Sequence, residues 1–151
     1  METKNETTVA AFTHLSSLSQ YFIPFGNFIF PIIIWNSKKE QSEFIDYHGK
    51  QIINFQLSLL IYSLVFILIA IPAFSTVIFS SINWNDLLND HEDFLNKINI
   101  TENISFITIG IISVFLFFVL KIVEFLLIVI ATIKASNGEK YKYPLTINFI
   151  K

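Results

Sequence analysis

From Ile104 to Leu120, seventeen consecutive residues carry no charge. With the apolar residues beyond Lys121 the run exceeds the roughly 20 that a helix needs to cross about 30 Å of hydrocarbon. Three further apolar segments, 9–21, 26–35 and 52–82, bring this material to more than half of the 151 residues. A chain that is 53% hydrophobic and only 15% charged, with a mean hydropathy of +0.59, would aggregate as a water-exposed domain of this size. The expectation is therefore an all-α integral membrane protein. It is read as a small helical bundle with a broken N-terminal helix pair and two long spanning helices, a single membrane domain over residues 1–151 without a flexible linker.

The opening METKNETTVA lacks the basic region and cleavage site of a secretory signal, so the first apolar segment is expected to be retained. Within it His14, Ser16, Ser17, Ser19 and Gln20 are polar for a spanning helix. The run Ile23-Pro24-Phe25-Gly26-Asn27 then breaks any helix, with Pro24 lacking a donor, Gly26 free to take unusual angles and Asn27 placed to cap a new helix. Pro31 is expected near the first turn of that helix. Residues 9–36 are thus either a short helical hairpin dipping into the membrane or one kinked span. The hairpin is favoured because each arm is too short to cross.

Residues 43–82 read as an interfacial stretch leading into a spanning helix, kinked at Pro72. Residues 83–103 form an acidic loop, with Asp86, Asp90, Glu92, Asp93 and Glu102 against Lys97 alone. A second span over 104–136 stops at Asn137-Gly138, and the tail 137–151 alternates polar and apolar residues as an extended segment would. Lys38 and Lys39 precede the first span, and Lys134, Lys140, Lys142 and Lys151 follow the second. The preference of lysine for the cytoplasmic side puts both groups there and the acidic loop outside. The expected location is a bacterial inner membrane, multi-pass, with a cytoplasmic C-terminus.

Three blocks, HLSSLSQYFIPFGNFIFPIIIW (His14 to Trp35), KKEQSEFIDYHGKQIINFQ (Lys38 to Gln56) and IKASNGEKYKYPLTINFIK (Ile133 to Lys151), carry a resemblance. In order and position they look like a bacterial family of small membrane proteins of unknown function. That family is similar to the twenty-kilodalton channel-forming subunit of the chloroplast inner-envelope protein translocon. The resemblance implies a helical membrane bundle and, by analogy alone, translocation. The loop and the Lys121/Glu124 pair depart from that family's compact pattern.

Two constellations stand out as candidate functional residues. Asp46, Lys50 and Asn54 are spaced four apart, so the first two can pair across one turn; His48, Gly49 and Gln56 interleave with them. This block reads either as a polar entrance to a path through the bundle or as an interfacial helix facing headgroups and water, with Gly49 allowing close helix contact. Asn54 and Gln56 lie deeper and are expected to bond other helices. The second constellation is Lys121 and Glu124, three apart inside the apolar region. A lone ammonium there would cost roughly 2.5 to 3.5 kcal/mol, so the two are expected to neutralise each other.

Enzyme chemistry has no support in the sequence. Cysteine is absent, and no zinc-protease helix, nucleophile elbow or phosphate loop occurs. His14, His48, Glu124 and the acidic loop invite a metal reading, but the loop does not have calcium-binding spacing, and no metal or cofactor is expected. Without arginine and at a formal charge of −2, no nucleic-acid partner is expected either. The partners to expect are the lipid bilayer and either further copies of the chain or another membrane protein. The leading function is a non-enzymatic structural or accessory membrane subunit. The alternative is a channel or transporter-like component with a polar path built from His48, Asn54, Gln56 and Glu124.

Overall fold

The computed structural model describes residues 3–81 and 100–151. Helix α1 spans Lys4–Ser16, α2 Gly26–Lys38, α3 Glu43–Ser81 and α4 Ile100–Ser136, with a 3-10 turn at Ser17–Tyr21 after α1. Among the described residues there is no strand, and the protein is all-α. The acidic stretch expected to be a loop falls outside the described residues up to 99. From Ile100 onward it is already helix, so residues 100–103 belong to α4.

α1 begins with a reciprocal cap. The Glu6 amide donates to the Thr3 hydroxyl, and the Thr3 amide donates to the Glu6 carboxylate at 2.7 Å. Beyond α1, in the 3-10 turn, the Ser19 carbonyl accepts from the Phe22 and Ile23 amides, and the Gly26 amide donates to the Ile23 carbonyl at 3.0 Å to close a tight turn around Pro24. Phe25 ends that turn in the left-handed region, φ 61°, and α2 starts without a side-chain cap. The expected cap at Asn27 is therefore corrected: its amide is drawn to a partner on α3. Gly26 is required where it stands, because a Cβ would lie 2.9 Å from the Ser19 carbonyl. Pro31 sits at the sixth position of α2, deeper than expected, and is buried. α1 and α2 pack against one another as a hairpin.

α3 and α4 contain 39 and 37 residues, roughly 58 and 55 Å of helix, well beyond the hydrocarbon thickness. The interfacial and spanning parts of α3 are one uninterrupted helix that passes through Pro72. Both helices are long and apolar enough to cross a membrane. Only 28% and 17% of their most apolar windows are buried within the protein, so these are not core helices of a soluble domain. Leu68, Phe115 and Ile122 are among the large apolar side chains facing outward. In a membrane that outward surface meets lipid, and the molecule is a multi-helix membrane protein.

The contacts divide into two units, residues 62–120 and residues 3–61 with 121–151. In the first, Gly110 lets the Phe74 ring approach; a Cβ there would lie 2.8 Å from it. Ser80 donates to the Asn103 side chain at 3.1 Å. The second unit holds the hairpin, the tail and the candidate residues.

Candidate functional site

The tail leaves α4 through Gly138, whose φ of +77° lets the Glu139 amide reach back to the Lys134 carbonyl. It then runs without regular structure along α3. Backbone outside a helix has no internal partners and is tolerated at membrane depth only where protein supplies them. α3 supplies them from a stripe of side chains at i, i+3 and i+7. Gln51 Oε1 accepts from the Tyr143 amide at 3.3 Å, and Ser58 Oγ accepts from the Ile147 amide at 2.8 Å. Asn54 Oδ1 accepts from the Phe149 and Ile150 amides, while Asn54 Nδ2 donates to the Ile150 carbonyl at 2.9 Å. Leu145, at φ 59°, turns the segment back on itself. Asn54, expected to bond another helix, bonds the tail, because three unpaired backbone groups present themselves there.

Under the tail lies a buried chain of three rings. His14 Nε2 is 2.7 Å from His48 Nδ1, and the Tyr143 hydroxyl is 3.0 Å from His14 Nδ1. His14 and His48 are fully enclosed and Tyr143 is 2% exposed. Tyr143 stacks on Phe55 with centroids 4.1 Å apart. With both imidazoles neutral, one proton assignment uses every contact. Tyr143 donates to His14 Nδ1, His14 Nε2 donates to His48 Nδ1, and His48 Nε2 faces the Glu139 backbone without a well-formed hydrogen bond. Burial, and then the neighbouring His48, hold His14 well below the ordinary histidine range. Burial raises the Tyr143 phenol well above its ordinary value. His48 was expected at a headgroup boundary or a polar entrance; it is sealed instead, because α1 and the tail cover it.

The hairpin is clamped by two further polar contacts. Gln20 donates to Glu124 Oε1 at 2.8 Å, and the other carboxylate oxygen accepts from Lys121 at 2.8 Å. Glu124 is fully buried and Lys121 is 32% exposed. Asn27 donates to Gln56 Oε1 at 2.7 Å. Glu124 lies twelve residues before the end of α4 and Gln56 thirteen after the start of α3, so both clamps lie roughly 18 to 20 Å along their helices. At the hairpin tip Phe22 and Phe25 face outward at 88% and 71% exposure. Nearer the helix ends the Trp35 ring occupies the space a Cβ on Gly49 would need, and its Nε1 donates to Asp46 at 2.9 Å. Lys50 completes the corner, 2.6 Å from Asp46 across one turn.

The sequence singled out these α3 and α4 residues and paired Asp46 with Lys50 and Lys121 with Glu124, but did not show what Asn54, His48 and Glu124 hold outside their own helices. Gln20, Gln51, Ser58 and Tyr143 were missed as partners, and the one available signal was the polar stripe Gln51, Asn54, Ser58 at helical spacing. Among the described residues no three His, Asp or Glu side chains converge as metal ligands. Both ring nitrogens of His14 and Nδ1 of His48 are turned on one another and on Tyr143.

No curated protein and no solved structure matches the chain. Apart from Lys151, the blocks from His14 to Trp35, Lys38 to Gln56 and Ile133 to Lys151 fall inside the match to a different family from the translocon-related one they resemble, and that resemblance is withdrawn. Physically those blocks record an architecture, a broken pair and a tail docked on two long helices, and an architecture does not carry an activity. The matching family model runs over residues 5–150, through the hairpin, both long helices and the tail, and the chain belongs to the MamF/MmsF magnetosome magnetite crystal formation protein family.

Proposed function

We propose that the chain is a non-enzymatic structural subunit of the membrane that bounds a growing magnetite crystal, the process its family is described by. In this reading it is a multi-pass protein of a bacterial inner membrane or of a compartment continuous with it. The hairpin and tail lie on the cytoplasmic side with the lysines at residues 38–39 and 134–151, and the chain works beside further copies or another membrane protein. One observation carries the structural role: the polar groups that a conducting path would need are engaged in holding the fold. His48 bonds His14, Asn54 bonds the tail, Gln56 bonds Asn27, and Glu124 bonds Gln20 and Lys121.

A channel or transporter-like role is the second reading, favoured by Lys121, which remains one-third exposed beside a fully buried carboxylate. Single cysteines at positions 48 to 58, in a chain with no native thiol, separate the two. The structural reading expects reagent accessibility to vanish on every face beyond about Asn54. Labelling that recurs every three to four residues toward Tyr62 would establish the water-lined path and overturn it.

A further inference from the structure

An open cleft of about 380 Å³ lies where the tail crosses the first turns of α3, within the usual range of small-ligand sites. One wall is α3, contributing Glu43, Tyr47, Lys50 and Gln51; the other is the tail, with Asn148 and Lys151. The side-chain charges of its lining cancel, since Glu43 and Asp46 stand against Lys50 and Lys151.

We infer that this cleft holds the headgroup of a zwitterionic phospholipid with a primary ammonium, phosphatidylethanolamine. The argument rests on the order of chemistry along one helical stripe. Glu43, Tyr47, Lys50 and Asn54 recur at i, i+4, i+7 and i+11, and the same face continues to Leu57 and to Ile61, which is 40% exposed. From the helix start inward the stripe presents a carboxylate, then an ammonium about 10 Å deeper, then apolar surface. An ethanolamine lipid seated in a bilayer presents the complement in the same order: ammonium outermost, phosphate below it, acyl chains below that.

The individual groups have the capacity to bind. Glu43 touches Lys140 at 3.2 Å but keeps 90% of its side chain exposed, so its oxygens remain available to an ammonium. Lys50 uses one of its three protons on Asp46, and its 31% exposure leaves the others for a phosphate oxygen. Gln51 spends its oxygen on the Tyr143 amide, which leaves its NH2 as a donor beside Lys50. A primary ammonium donates hydrogen bonds to Glu43 and a quaternary one does not, so the site discriminates against choline. A net anionic headgroup gains the lysines but meets Glu43 and Asp46, which discriminates against phosphatidylglycerol.

The full chain in mild detergent tests this, with short-chain phosphatidylethanolamine, phosphatidylcholine and phosphatidylglycerol as probes and free phosphoethanolamine as competitor, read by native mass spectrometry. The expected result is a preference of about tenfold for the ethanolamine lipid over each of the others. Glu43→Gln, at a position 90% exposed whose contact with Lys140 is at the surface, should abolish the preference over phosphatidylcholine. Lys151→Met should weaken both zwitterionic lipids together. Lys50→Met should do the same, and because it also unpairs Asp46 it is interpreted only if thermal stability is retained; Lys151→Met decides the point otherwise. Equal affinity for the three lipids, an undiminished ethanolamine preference in Glu43→Gln, or displacement by free phosphoethanolamine at the concentration of the lipid would each overturn the assignment. None of these outcomes bears on the structural role proposed above, which the cysteine scan tests separately.

Discussion

His14 and His48, 34 positions apart, share a hydrogen bond of 2.7 Å with their rings nearly perpendicular at 83°. A neutral imidazole offers one donor and one acceptor, and the two bridging nitrogens, His14 Nε2 and His48 Nδ1, are committed to one another in a space closed to water. The pair therefore fastens α1 to α3 only while at least one bridging nitrogen stays unprotonated.

Acid should loosen this fastening. The unfolded chain binds a proton at His14 near pH 6.5, whereas burial holds the folded His14 well below that. The folded state thus binds fewer protons as pH falls, so its stability is level above about pH 7 and declines below about 6.5, by up to about 1.4 kcal/mol per pH unit for one group. Thermal unfolding in detergent between about pH 8 and pH 5 should show the decline. His14→Gln should flatten it, and a variant curve parallel to the unmodified one would assign the acid sensitivity elsewhere.

Glu124 holds two partners, Gln20 and Lys121. Glu124→Leu should cost about 3 kcal/mol, the lower end for a broken buried pair because Lys121 is partly hydrated. Lys121→Met combined with Glu124→Leu should be less damaging than Glu124→Leu alone, as it no longer keeps an ammonium beside a site that has lost its carboxylate. Unfolding midpoints in one detergent rank the variants; equal losses would mean that the ion pair itself contributes nothing.

Asn54→Leu removes three hydrogen bonds to the tail at once. At about 1 kcal/mol each the loss is roughly 3 kcal/mol of local stability, enough to detach a short segment. Hydrogen exchange over residues 143–150 should accelerate while exchange in α4 stays slow. Asn54→Asp, which keeps the acceptor for two amides, should fall between; uniform acceleration across the protein would show that the tail does not open on its own.

Gly49→Ala should separate α2 from α3, since its methyl group meets the Trp35 ring. Overpacking of this kind costs about 1 to 3 kcal/mol. The Trp35 ring should become more mobile, seen as a red-shifted emission from that side chain once Trp84 is replaced by Phe. A variant with unchanged emission and stability would place the two helices further apart than described.

The lysines at both junctions predict a cytoplasmic tail, and the hairpin predicts that Thr3 shares its side. A reporter fused after Lys151 and a single cysteine at Thr3 should both report cytoplasm. Labelling of Thr3→Cys from outside would replace the hairpin with a full crossing.

What could be read from the sequence was local or set by the solvent. The long helices follow from their uncharged runs, because hydrocarbon admits few other structures. Asp46 with Lys50 and Lys121 with Glu124 follow from helical spacing. The meeting of His14 with Tyr143 does not, since 129 positions separate them and the alternation of the tail shows an extended segment without showing where it docks. Asn54 was recognisable as a group needing a partner, but its partner was backbone, which every residue carries and no sequence marks. Asn27 misled for a related reason. It is a good cap by type, and it was taken instead by Gln56, 29 positions on. The family resemblance failed at the same level, for polar blocks ordered between apolar helices specify how a chain is laid into lipid before they specify a task.

The contact between Tyr143 and His14 also sets an order of assembly. A ribosome delivers α1 before the tail, so the hydroxyl that completes the buried ring chain emerges after both long helices have been made. Until then His14 Nδ1 and the acceptors on Gln51, Asn54 and Ser58 have no backbone or phenol to receive. The fastening of α1 to α3 through the ring chain is thus completed only when residues 140–151 fold back over α1.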